Sequence, residues 1–346
     1  MKNKFVILAI AAIVLSVVGP ISASALPESC QDIRDADSTA SDGVYTIYPN
    51  GNTQVFDVYC NDMAGTPSEY LELQNNGGPY NYAQYTAGGA SPGTDVKTSY
   101  QKIRLDPATL MVDIGDQTFA NTTGFLYHSS VTRPDPHPVY SVSYGVAFDC
   151  KSMGSQTGVG NIDLSGTPFA VINTFINWGW GKAGNAIFSQ DDQIVNLNGG
   201  GYCGGIMPAP GMFYPFNTQG GFRLNLNYIG SQFLLIDIKP GSYPNSFNNN
   251  GHGVIPVAIL GSQYLDVTTI DQGSLSLEGM AIRVVGKNNK LQSHYEDVNE
   301  DSILDLVVQI EDTEGTFTLG DTTATLTGTL MDGTLIEGQD SIRIVP

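Results

Sequence analysis

From residue 41 onward, apolar and polar side chains alternate in short runs separated by Gly, Asn and Pro clusters, the pattern of strands joined by tight turns. Gly43-Val-Tyr-Thr-Ile-Tyr48 and Val55–Tyr59 flank Pro49-Asn-Gly51, which predicts a hairpin across Ser41–Cys60. Further strands are predicted at Glu69–Leu73, at Tyr100–Leu105 and Leu110–Ile114 around the Asp106-Pro107 turn, at Val139–Phe148 and at Gly158–Leu164. Phe169–Ile176 reads as a strand or a short apolar face, and Asn75–Asp95, rich in Gly, Asn and Tyr, reads as an irregular loop. A second series opens at Phe233–Ile238. It continues through Val254–Leu260, where Pro256 points to an edge or a bulge, then Ser274–Leu277, Ala281–Val285, Leu304–Ile310, Thr322–Leu330 and Ser341–Val345. The expected fold is all-β and mostly antiparallel: an irregular disulfide-supported β domain over 26–228, a connection at 229–232 and a β-sandwich over 233–346.

The start of the chain has another character. Lys2 and Lys4 precede an apolar run from Phe5 to Val18, Gly19-Pro20 breaks it, and Ala23-Ser24-Ala25 offers small residues for cleavage. Residues 1–25 are therefore expected to be a signal peptide that is removed, since the apolar run is short for a membrane span. The expected location is secreted or cell-surface associated, with the periplasm as another exported compartment. Loss of Lys2 and Lys4 moves the formal charge from −19 to −21. So acidic a surface argues against nucleic acid or an anionic membrane as partner and suits cation binding, and stable membrane insertion is not expected because no later stretch is long enough to cross a bilayer.

Export changes the reading of the cysteines. Cys30, Cys60, Cys150 and Cys203 are the four in the chain, and two disulfides are expected. Three pairings exist, of which Cys30–Cys60 with Cys150–Cys203 closes the shortest loops. Zinc is disfavoured, because no pair has a CxxC spacing. The run Gly199–Gly205 around Cys203 reads as a tight disulfide-bound turn. Trp178 and Trp180, one residue apart, would point to the same side of an extended segment, either into the core or outward as a stacking platform for a ligand.

Candidate metal chemistry concentrates at Asp297-Val-Asn-Glu-Asp-Ser-Ile-Leu-Asp305. Oxygens of Asp297, Asn299, Asp301 and Asp305, with the Ile303 carbonyl, follow the alternating register of a calcium loop. Ser302 stands where an EF-hand has Gly, and Val308 where it has a closing carboxylate, so Glu296, Glu311, Asp312 or another strand would complete the shell. The alternative is an acidic turn between strands.

Two resemblances bear on function. Cys30, Asp42-Gly-Val-Tyr45, Val58-Tyr-Cys60, Met63, Glu69-Tyr-Leu71, Tyr100–Asp106, Cys150, Gly160–Leu164, Gly200–Gly204 and Arg223–Leu226 follow one another as in the GON domain. That module lies at the C-terminal end of some secreted metalloproteases of the ADAM-with-thrombospondin-repeats group, and the opening is also similar to the entry of fibrinogen-like domains. The likeness covers about 28–228, with fewer cysteines than the animal module. Residues 233–345 resemble a C-terminal β domain of bacterial and archaeal secreted proteins, through Ile236–Ser242, Pro244-Asn245, Gly253–Leu260, Glu296–Asn299, Asp305–Val307, Ala324–Gly328 and Asp340–Arg343. Relatives of that domain carry a DVNGDG loop, which favours one calcium ion at Asp297–Asp305 and offers Asp237 as a further ligand or a turn cap.

The metalloprotease association does not bring catalysis with it. No HExxH is present, and His128, His137, His252 and His294 include no pair at helical ligand spacing. No GxSxG elbow, P-loop or dinucleotide fingerprint occurs either. The sequence reads as an exported, non-catalytic recognition or adhesion protein whose partner is an extracellular protein or glycan. The alternatives are a self-assembling surface or filament protein, and an accessory component related to metalloendopeptidases or an extracellular hydrolase.

Overall fold

A computed structural model describes residues 26–130, 133–209, 223–248 and 251–345. The leader assigned to 1–25 lies outside them. The chain is mostly antiparallel β and is organised around two hydrophobic cores, one drawn from Cys30 to Leu226 and the other from Leu234 to Ile344.

Two seven-stranded sheets contribute to the first core. One runs Gly43–Ile47, Phe56–Asn61, Ser68–Glu72, Lys102–Asp106, Met111–Asp113, Arg223–Tyr228, Phe169–Val171. The other runs Ala147–Asp149, Ile194–Pro208, Gly158–Asp163, Tyr82–Thr86, Val96–Tyr100, Ala120–Thr123, with Phe175–Ser189 along the far side of Ile194–Pro208. The expected hairpin is present, with Gly43 opposite Cys60 and Ile47 opposite Phe56. A short helix at Cys30–Ala36, not anticipated from the alternation, starts where Ser29 Oγ accepts the Asp32 amide at 3.2 Å. The Cys30–Cys60 disulfide fastens that helix to the hairpin.

Three expectations are corrected here. Asn75–Asp95 is not an irregular loop, because it contains the interior strand Tyr82–Thr86, whose Ala83 and Tyr85 are fully buried. Tyr100–Leu105 is not one strand either: the chain leaves one sheet at Tyr100 and enters the other at Lys102. Gln101 ties the two, with its amide on Phe119 O and its carbonyl on the Leu73 amide, both at 3.0 Å. Val139–Phe148 is strand only at its ends. Between them, the Val142 amide donates to Thr98 Oγ1 at 2.9 Å and the Tyr144 amide to Ile114 O at 3.0 Å, so buried backbone is satisfied without a ladder.

The second core lies within a five-stranded sheet (Gln232–Leu234, Leu335–Ser341, Thr323–Leu330, Ile270–Leu277, Met280–Ala281) and a four-stranded sheet (Ile236–Ile238, Val254–Ile259, Asp305–Glu311, Ser293–Glu296). Val254–Ile259 is an interior strand, not an edge. Pro256 is tolerated because the ladder with Ile236–Ile238 stops there: the Lys239 amide donates to Pro256 O at 2.8 Å, and proline has no N–H to return the bond. At the junction of the halves, the Phe233 amide donates to Thr53 O at 2.9 Å, and the Tyr48 and Phe233 rings meet edge-on at 5.0 Å.

Candidate functional site

The longest hairpin among the described residues pairs Phe175–Ser189 with Ile194–Pro208, and its turn uses positive φ at Gln190, Asp191 and Asp192. The glycine run expected as a turn lies inside the second of these strands. Its glycines serve close packing instead: a Cβ on Gly205 would stand 2.2 Å from Ala147 O, and one on Gly200 2.0 Å from Asp149 Oδ2. The register slips between Gly179 and Trp180, where Cys203 is the extra residue at φ 58°, and Cys203 there bridges to Cys150.

That bulge also separates the two tryptophans. Trp178 is partly buried and stacks on Phe148 with ring centroids 6.3 Å apart, whereas Trp180 is 57% exposed. A regular strand would have given both rings the same face. Instead, one belongs with the core and the other is open to solvent.

Beneath the glycine run sits Asp149, fully buried. Its Oδ1 accepts Ser155 Oγ at 2.6 Å, the Gly201 amide at 3.1 Å and the Lys151 amide at 3.2 Å. Its Oδ2 accepts the Thr157 amide at 2.8 Å and Thr157 Oγ1 at 2.9 Å. Five donors replace water around one carboxylate, which makes Asp149 the post on which the disulfide-bearing segment and the glycine strand are set. On the other side of the disulfide, Tyr85 Oη lies 2.7 Å from Ser91 Oγ, 2.7 Å from His128 Nδ1 and 2.8 Å from Cys150 Sγ. Burial pushes the Tyr85 phenol well above its ordinary value. Among the described residues, His128, Cys150 and Cys203 are the one grouping of three His, Cys, Asp or Glu donors close enough to share an ion. With both sulfurs in the disulfide, that cluster offers one imidazole and no thiolate, which does not fit zinc.

The acidic segment of the second half forms the turn between Ser293–Glu296 and Asp305–Glu311. Glu300 and Ser302, at φ 62° and 70°, adopt the left-handed conformation that glycine supplies most easily. The Asp301 and Ser302 amides donate to Asp297 Oδ1 and Oδ2 at 3.1 and 2.9 Å. Asn299 Oδ1 accepts the Asp301 amide at 3.2 Å, and Asp301 Oδ1 accepts the Ile303 amide at 2.7 Å. Asp297, Asn299 and Asp301 are exposed, Ile303 is half-buried, and Asp305 is fully buried. Asp305 differs in its bonding too: its oxygens accept the Gly261 amide at 2.7 Å and the Val298 amide at 2.8 Å, joining the loop base to the neighbouring strand end. Of the residues considered for closing the shell, Glu296 pairs with His294 at 3.3 Å and Glu311 with Arg283 at 3.2 Å.

Comparison with known proteins decides the family of the first half. The GON domain matches residues 27–91 and 90–216. The chain belongs to the GON-domain family. It is also 25% identical over 221 residues to the Caenorhabditis elegans protein "A disintegrin and metalloproteinase with thrombospondin motifs gon-1", a match that takes in 56% of this chain and 9% of that protein. The chain thus corresponds to a small fraction of that relative's length. No solved structure matches significantly.

The GON-matched stretch contains both disulfides, Asp149 and the long hairpin with Trp178 and Trp180, and it ends before the acidic loop. Asp149 was not singled out by sequence reading, although its place immediately before Cys150 offered a signal. Asn81 offered none. It lies in the stretch read as loop, yet it is fully buried and its Oδ1 accepts the Asp163 amide at 2.8 Å and Tyr144 Oη at 2.5 Å.

Proposed function

We propose that this protein is an exported, non-catalytic recognition or adhesion protein, whose GON domain contacts an extracellular protein or glycan and whose C-terminal half is stabilised by calcium. The observation that carries the reading is Trp180. It is an exposed indole on the strand Phe175–Ser189, where Lys182 is the one charged residue, in a chain of formal charge −19. An exposed aromatic in an acid-poor setting stacks on sugar rings or fills an apolar pocket of a partner, and tryptophan is enriched among residues that dominate binding energy.

Asp297, Asn299 and Asp301, with the Ile303 carbonyl, would hold the calcium. Their donors are all hard oxygens and their backbone turns as a wrapping loop requires, so the residues fit that ion. Asp305 would act from below, holding the loop to Gly261 and adding charge. Calcium that binds only the ordered loop adds stability by mass action. The test is binding of the secreted protein to immobilised glycans and extracellular matrix proteins. The wild type should bind a saturable ligand, and Trp180→Ala should lose at least tenfold in affinity with an unchanged melting temperature. Equal binding by wild type and Trp180→Ala would remove Trp180 from the account.

A second reading, self-assembly, draws on the same strand. Phe175–Ser189 has Ile194–Pro208 as its one ladder partner among the described residues, so its other edge could accept a strand from another copy. Sedimentation of the purified chain separates the two, with large particles favouring assembly and a discrete species favouring recognition.

A further inference from the structure

Three neighbouring strands of the first half, Phe175–Ser189, Ile194–Pro208 and Gly158–Asp163, carry only Lys182 and Asp163 as charged residues, in a chain of formal charge −19. Asp163 is buried. The strand register sets Ile187 opposite Asn196, Asn196 opposite Asn161, and Asn185 opposite Asn198. Opposed residues share a face of a sheet, and so do residues two apart on one strand, so these five side chains form one patch. Val195 and Leu197, between the asparagines, point the other way into the core.

Hydrogen bonds inside the patch decide which end of each amide is left for solvent. The Asn81 amide donates to Asn161 Oδ1 at 2.9 Å, so Asn161 turns its Nδ2 to Asn196 Oδ1, also at 2.9 Å. Asn196 Oδ1 is thereby an acceptor, and Nδ2 is the end that Asn196 presents. The Asn185 amide donates to Asn198 Oδ1 at 3.1 Å, which sets Asn198 the same way. A backbone N–H cannot exchange roles, so both orientations are fixed. Among the described residues, neither nitrogen has a protein acceptor.

The patch therefore offers two like donors about 7 Å apart along one strand. Beside them Ile187 is 57% exposed and Asn185 is exposed as well. An unshared amide donor calls for an acceptor oxygen, and a face without charge does not select an ion. Protein partners are anchored by aromatic or arginine side chains in desolvated pockets, whereas the apolar contact here is one aliphatic side chain among amides. A sugar ring supplies both matching parts: hydroxyl oxygens that accept, and a C–H face that lies against an aliphatic side chain.

We propose that Asn185, Asn196 and Asn198, with Ile187, form a binding face for a neutral glycan. The proposal rests on the recognition reading above and narrows its ligand to an uncharged saccharide chain. It places the contact on the same hairpin as Trp180, nearer the turn.

The test is saturable binding of the mature secreted protein to three immobilised panels: neutral polysaccharides, sulfated or uronate-bearing polysaccharides, and matrix proteins. Wild type should bind a neutral polysaccharide. Asn196→Asp and Asn198→Asp keep the oxygen that accepts Asn161 Nδ2 or the Asn185 amide, and replace the presented nitrogen by an oxygen. Each should lose roughly tenfold or more in affinity at an unchanged melting temperature. Asn121→Asp adds the same charge to the same face, four strands away, and should bind as wild type does. If an aspartate variant melts lower, Ile187→Ala decides instead, since it breaks no hydrogen bond and should lose roughly threefold or more. Binding confined to acidic polysaccharides or to matrix proteins would overturn the proposal, and so would wild-type affinity in the folded variants. Loss in Trp180→Ala alone would remove this face and leave the recognition reading standing. Loss in the asparagine variants alone would support the face and remove Trp180.

Discussion

Asp149 and the Asp297–Asp301 turn use the same side-chain chemistry to opposite ends. Asp149 is fully buried, and its oxygens are occupied by donors from Lys151, Ser155, Thr157 and Gly201, the last 52 residues away. Asp297 and Asp301 are exposed, and the backbone donors that reach them lie within five residues. A buried carboxylate with both oxygens filled, one of its donors 52 residues away, holds segments together and has no capacity left for a ligand. An exposed carboxylate bonded only to its own turn is pre-shaped and keeps lone pairs for an ion. The contrast teaches that hydrogen-bond range and burial, not acid content, separate a structural aspartate from a candidate ligand.

The contrast predicts a large effect at one end. Asp149→Ala removes the shared acceptor of five donors and should destabilise the first half by roughly 3–5 kcal/mol, lowering its melting transition by about 10 °C whether or not calcium is present. Calorimetry of the variant beside wild type reads this directly, and a shift below a few degrees would make Asp149 incidental. Replacing both Cys150 and Cys203 by Ser opens a loop of 53 residues and should cost about 4 kcal/mol on chain-entropy grounds, by denaturant titration. Gly205→Ala forces a Cβ against Ala147 O and should cost roughly 1–3 kcal/mol.

At the other end, Asp301→Ala should leave stability in chelator nearly unchanged and remove up to about 3 kcal/mol of calcium-dependent stability at saturating ion. The smallest effect concerns pH and Glu69, which accepts the Cys30 amide at 2.8 Å and whose carboxyl is pushed up mainly by burial. A raised folded value means that the folded state takes up its proton before the unfolded state does. This contribution therefore grows as pH falls toward the ordinary carboxylate range and is absent at neutral pH. Glu69→Gln should flatten that part of the stability–pH curve, measured as a difference from wild type.

The strands with clear alternation were legible in sequence, because one face of Gly43–Ile47, Phe56–Asn61, Lys102–Asp106 or Thr323–Leu330 meets a core and the other meets solvent. Tyr82–Thr86 was hidden by its Gly- and Asn-rich flanks, although Tyr85 is fully buried. The glycine strand was hidden for a related reason: glycine marks a turn by its freedom and a close strand contact by its missing side chain, and sequence does not say which applies. The acidic segment was legible as a turn between strands. That Asp305 lies beneath the turn could not be read, since its partner Gly261 is 44 residues away. The same holds for Trp178 and Trp180, whose separation depends on a bulge opposite Cys203.

The central claim is that the Asp297–Asp301 turn takes calcium while Asp149 is purely structural. Calorimetric titration of calcium into chelator-treated mature protein, with magnesium as control, tests it most directly. The account predicts a saturable calcium heat whose stoichiometry falls by one ion per chain in the Asp297→Ala, Asp301→Ala variant. A titration without calcium heat, or one unchanged by that variant, would contradict it and leave the turn as an acidic connection between strands.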